Sequence, residues 1–107
     1  MLILSVLIIL NLYIMTLVKN INGTSSNRCK CGNWLTHWEN YSGAPAIFCS
    51  VIGCNNSASV GAHVQKANSL VDKWYIVPMC QFHNFSSGEL EVSPPLVSAN
   101  VNETCGR

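Results

Sequence analysis

Two ligand pairs, Cys49-x4-Cys54 and Cys80-x2-His83, constrain this chain more than any other feature. Cysteine sulfur and histidine nitrogen are the donors of a tetrahedral four-coordinate metal site. A tight knuckle can present one pair, eased here by Gly53, whose missing Cβ allows a sharp backbone turn. The first turn of a helix can present the other, because Cys-x2-His at a helix start puts both side chains on one side. If the pairs meet, the segment 55–79 must run out and return between them, as a hairpin does.

The apolar run Leu2–Val18, interrupted mainly by Asn11 and Thr16, inflates the 49% hydrophobic content of the 107-residue chain. Such a run at an N-terminus reads as a signal peptide or a membrane anchor and is set apart from the fold. It falls at the lower limit of a bilayer span and slightly beyond an ordinary signal core. The expected organisation is residues 1–23 as signal peptide or anchor, forming an N-terminal apolar helix, 24–28 as linker, and 29–107 as one small Cys-rich α+β domain. About 80 residues give a marginal core, which small domains reinforce with disulfides or a metal. Six cysteines serve that need: Cys29, Cys31, Cys49, Cys54, Cys80 and Cys105.

Beyond the leader, Arg28, Lys30, Lys66, Lys73 and Arg107 balance Glu39, Asp72, Glu89, Glu91 and Glu103. Binding to a phosphate backbone shows as a clustered basic excess, so this balance disfavours a nucleic-acid partner. Membrane contact is expected only through residues 2–18, if they are retained.

Asn-x-Ser/Thr begins at Asn22, Asn40, Asn55, Asn84 and Asn102. Composition alone predicts roughly two such acceptors. The excess favours a secreted or secretory-lumen glycoprotein, with Asn22, Asn40 and Asn102 the better acceptors, because a glycan on Asn84 would crowd His83. Lys19, Arg28 and Lys30 follow the apolar run while no charge precedes it, which for a retained single-pass anchor places the domain in the cytosol. An oxidising lumen favours disulfides; a reducing cytosol keeps thiols free for zinc.

Asn33 is placed to cap a helix running to about Asn40, with Trp34, Leu35, Trp38 and Tyr41 on one core-facing side and His37 at the surface. Ala46–Cys49 reads as a short strand. Val60–Gln65 and Trp74–Val77 read as a strand pair, the second ended by Pro78. A short helix from Met79, stopped by Ser86-Ser87-Gly88, and a strand at Leu90–Ser93 follow. Leu96–Asn100 is ambiguous.

His63 on the first strand, the second strand ending in Pro78, and Cys80-x2-His83-Asn84 together resemble the ββα centre of the HNH nuclease and treble-clef zinc-finger group. The resemblance spans residues 46–88. It implies zinc held by Cys49, Cys54, Cys80 and His83, and it puts His63 where the family's general base stands. Ala62 replaces the acid that often precedes that histidine, Tyr75 falls at the middle Asn position, and Asn84 stands where the last metal-binding His would be. His63 is therefore the one catalytic candidate, in a weak constellation.

Three functions follow as expectations. The first is a small exported or membrane-tethered zinc-finger-like module with a binding or structural role and no catalysis. The second is a disulfide-stapled secreted glycoprotein domain without metal. The third is a degenerate HNH-type metal-dependent nuclease. Cys29, Cys31 and Cys105 are the disulfide candidates. Cys29 and Cys31 are too close in sequence to pair easily with each other. A bridge from either to Cys105 would close a long loop, a contribution of roughly 4 kcal/mol.

Overall fold

The computed structural model describes residues 15–24 and 27–106. Its centre is a five-stranded antiparallel sheet: β1 (Thr16–Asn20), β2 (Val60–Lys66), β3 (Trp74–Met79), β4 (Glu89–Val92) and β5 (Val97–Ser98), in the order β4-β1-β2-β3-β5. Helix α1 (Trp34–Ser42) lies between β1 and β2 in sequence; the short α2 (Gln81–Asn84) follows β3. The α+β class and the 60s/70s hairpin expected from the sequence are both present.

Residues 1–14, where the apolar helix was expected, lie outside the described residues. Thr16–Asn20 carries a finding of its own. The sequence pattern assigns these residues to the leader and its flank, yet they pair with β2 on one side and β4 on the other. The side chain of Val18 is fully buried in the core. The domain therefore includes residues well ahead of 29. A short apolar strand that continues an apolar run has no boundary of its own in sequence, because periodicity alone does not separate a buried strand from a buried helix. Among the described residues no helix is long and apolar enough to cross a membrane.

β2 and β3 set the register that organises the rest. Ala62 faces Val77 and Val60 faces Met79, while His63 faces Ile76 and Gly61 faces Pro78. Successive strand side chains alternate between faces, so the sheet has two separate cores. On one face Val18, Ala62, Val64, Val77, Met79 and Val92 pack with Cys49 and Cys80. On the other, Ile76 and Val97 pack against Trp38 of α1. β3 continues through Pro78 to Met79 instead of stopping at Val77. Proline is tolerated there because β5 borders β3 only at Tyr75 and Ile76.

α1 begins as the sequence implies. The Asn33 side chain accepts a hydrogen bond from the Thr36 amide at 2.8 Å. At the other end Gly43 takes a left-handed conformation, φ 73°, and its N–H donates to Glu39 O. The buried face differs from expectation: His37 and Trp38 are buried, whereas Tyr41 is 46% exposed. His37 lies one turn from Trp34 and Tyr41 and shares their side of the helix. A surface His37 is thus corrected to a fully buried one. The short strand expected at Ala46–Cys49 is reduced to a single bridge, Phe48 to Ser57.

Candidate metal centre

Cys49, Cys54, Cys80 and His83 converge, with their ligand atoms all within 4.8 Å of one another. Cys49 Sγ is 3.6 Å and Cys80 Sγ 3.3 Å from His83 Nδ1, and Cys54 Sγ is 3.9 Å from Cys80 Sγ. A tetrahedron with metal–sulfur bonds near 2.3 Å and metal–nitrogen bonds near 2.0 Å has edges of about 3.8 Å between sulfurs and about 3.5 Å from sulfur to nitrogen. The observed separations fit that frame.

Local structure explains the convergence. Gly53, φ 82°, turns the Cys49–Cys54 segment. The turn is closed by Cys49 N–H donating to Asn56 O at 2.9 Å and Cys54 N–H to Val51 O at 3.0 Å. Ser50 N–H donates to Pro78 O and Ile52 N–H to Glu91 O, which fix the knuckle to β3 and to β4. Cys80 is the extended residue immediately ahead of α2. The Asn84 amide donates back to Cys80 O, so His83 returns above Cys80 after one turn. Asn20 of β1 then holds this turn: its side-chain amide donates to His83 O at 2.8 Å and Ser86 O at 2.9 Å. Sequence reasoning missed Asn20, since nothing in the chain order announces a contact between β1 and α2.

The thiols of this group differ in proton affinity. Burial pushes Cys49 up to about 11. Burial acts in the same sense on Cys80, but hydrogen bonds from the His83 backbone, Asn56 and His83 pull it down to about 6. Cys80 is thus the readier thiolate of the two and Cys49 the more reluctant. A bound cation would displace the remaining thiol protons, because sulfur ligates as thiolate.

The disulfide candidates Cys29, Cys31 and Cys105 also meet, together with His37, in a second group whose ligand atoms lie within 4.8 Å. All six cysteines are free, and none of the sulfurs in either group is at bonding distance from another. Both groups can hold a metal ion. The sequence signal for the second was Cys29-x-Cys31 followed closely by a histidine on the Trp34 side of the helix; assigning His37 to the surface concealed it.

His63 sits apart from both groups. It is 6% exposed, and its Nε2 has no hydrogen-bond partner. Trp34 meets its ring edge-on at 4.6 Å between centroids. Burial, reinforced by His37, pushes it down to about 4, so it is neutral at pH 7 and a weak base. A cavity of about 310 Å³ is lined by His63, Trp34, Asn84 and Phe85 among others. Tyr75 lies on the opposite face of the sheet, since it pairs with Val64 while His63 pairs with Ile76. The His63, Tyr75 and Asn84 positions therefore do not gather into one constellation.

Among the glycan acceptors, Asn22, Asn40, Asn55 and Asn102 are exposed, and Asn84, in α2 beside His83, is half-buried. Comparison with protein families, curated proteins and solved structures finds no match to this chain.

Proposed function

We propose that this protein is a small zinc-stabilised module of the ββα, HNH and treble-clef-like kind, with a binding or structural role and no catalysis. The observation that carries the reading is the convergence of the Cys49, Cys54, Cys80 and His83 ligand atoms, which lie within 4.8 Å of one another. The succession β2, β3, α2 around that quartet supports the likeness. Zinc suits three sulfurs and one imidazole, and a structural site supplies folding free energy directly.

Binding is favoured over catalysis by what surrounds the quartet. Ile47 and Phe48, just ahead of Cys49, are 58% and 61% exposed; Phe82 and Phe85, flanking His83, are 74% and 79% exposed. Large apolar side chains kept in water next to a rigid metal loop suit a contact surface. His63 is buried and pushed down to about 4, which makes it a poor general base at neutral pH.

The test combines metal content with unfolding. Purified protein should carry zinc, and Cys80→Ser should lose one equivalent and much of its stability. Chelation should unfold the wild-type domain, read by circular dichroism. No zinc, with the Cys49, Cys54 and Cys80 thiols found as disulfides, would replace this reading by the disulfide-stapled glycoprotein domain; the exposed acceptors Asn22, Asn40, Asn55 and Asn102 support that second reading. Divalent-ion-dependent cleavage of DNA that His63→Ala abolishes would establish the nuclease instead.

A further inference from the structure

We propose that Cys29, Cys31, His37 and Cys105 form a second zinc site, separate from the first, which fastens the C-terminal end of the chain to the loop ahead of α1. His37 Nδ1 lies 3.7 Å from Cys31 Sγ and 3.6 Å from Cys105 Sγ. Both separations match the sulfur-to-nitrogen edge of a zinc tetrahedron, about 3.5 Å. Cys29 Sγ completes the set within the same 4.8 Å span.

The histidine is already oriented as a metal ligand needs to be. His37 is fully buried, and its Nε2 lies 2.9 Å from Ser98 O. A carbonyl only accepts, so Nε2 carries a proton; in the neutral ring the lone pair is then on Nδ1, which faces two sulfurs. Metal-ligating histidines use this outer hydrogen bond to fix tautomer and ring direction.

The backbone brings the other ligands to that nitrogen. The tail is pinned by β5, by Ala99 N–H donating to Trp74 O at 3.0 Å, and by the Trp38 indole donating to Pro95 O at 2.9 Å. A 3-10 turn at Val101–Glu103, capped by the Asn100 side chain, then reverses the chain. Lys30 N–H donates to Gly106 O at 2.9 Å, which holds the Cys29–Cys31 loop against the Cys105 segment.

Three sulfurs and one imidazole leave a disulfide with a remainder. Joining Cys105 to either partner consumes two sulfurs and strands the third beside a buried nitrogen acceptor. One zinc ion uses all four donors. Three S–H bonds break, three S–Zn bonds and one N–Zn bond form, and the protons pass to solvent with no change of oxidation state. The two groups lie on opposite sides of the sheet: His37 belongs to the helix packed over Ile76, whereas Cys49 and Cys80 pack with Ala62 and Val64. The second site therefore stands or falls independently of the first.

Native mass spectrometry of the full chain, purified under reducing conditions and loaded with zinc, should show two zinc ions per chain. Cys105→Ser should hold one, Cys80→Ser the other, and His37→Cys should keep two. Thiol alkylation mapped by peptide on the wild-type chain gives a reading that needs no variant to fold. Zinc should slow labelling of Cys29, Cys31 and Cys105 at least tenfold, and a chelator should restore it. Labelling of those three at equal rates with and without zinc, a stoichiometry of one that Cys105→Ser leaves unchanged, or a native bridge to Cys105 would each overturn the proposal. Loss of zinc protection at Cys49, Cys54 and Cys80 alone would count against the first centre and leave this one standing.

Discussion

Replacing Gly61 with alanine should cost about 3 kcal/mol, at the upper end of the usual overpacking penalty. The new Cβ would lie 2.4 Å from Trp34 C and 2.6 Å from both Trp34 O and Leu35 N. Carbon atoms settle at about 3.5–4.0 Å, so roughly 1 Å of relief is needed. Those three atoms are backbone in the first turn of α1, just after the Asn33 cap, and cannot rotate aside. The helix must lift from the sheet or β2 must bend. Lifting opens a gap under His37 and Trp38, and a gap of that size forfeits a quarter to a half of each dispersion contact there. For a domain of this size the cost corresponds to a fall in Tm of roughly 12–24 °C. Gly88→Ala is the matched control: its φ is 88° and nothing lies within 4 Å, so only the left-handed conformation opposes a side chain, at about 1 kcal/mol. Urea unfolding at fixed free zinc, followed by tryptophan fluorescence, measures both. If Gly61→Ala is within about 0.5 kcal/mol of wild type, α1 does not rest on β2 at Trp34 and the placement of His37 fails with it.

Three further outcomes are expected. Val18→Ala removes two buried methyl groups from a strand paired on both sides, and at about 0.8 kcal/mol per carbon plus a cavity term it should cost about 2 kcal/mol; an unchanged denaturation midpoint would detach residues 16–20 from the domain. Asn33→Ala removes the cap on Thr36 N and should cost about 1 kcal/mol with Asn33→Ser recovering most of it, since serine also caps; equal stability of the two variants would show the cap to be idle. The His63 ring should stay neutral down to about pH 4 by nitrogen NMR. Its folded pKa lies below the unfolded value near 6.5, so the unfolded chain binds the extra proton and this group's contribution, present above pH 6.5, is lost as pH falls toward 4. A ring that titrates near 6.5 would mean that water reaches it.

Much of the first centre was legible from spacing. Cys-x2-His at a helix start is a local geometric statement, and the hairpin between the two ligand pairs follows from strand patterning on either side of a polar turn. The Asn33 cap was legible for the same reason, because its donor lies three residues away. The second group was not. Cys105 reaches His37 only after β5, the 3-10 turn and the Lys30–Gly106 backbone bond have steered the tail, and none of those contacts is local. Gly61 within a strand pattern was the available hint of a close backbone approach, but it does not say which backbone approaches.

The chain order alone determined the α+β class, the hairpin and the quartet Cys49, Cys54, Cys80 and His83, because each depends on neighbours within one or two turns or on a single strand reversal. Tertiary structure decided that Thr16–Asn20 is a strand of the sheet, that His37 faces inward, and that Cys29, Cys31 and Cys105 gather around it. Those outcomes depend on which face of the sheet each segment covers. That choice is set by the packing of distant apolar side chains, which sequence separation does not encode.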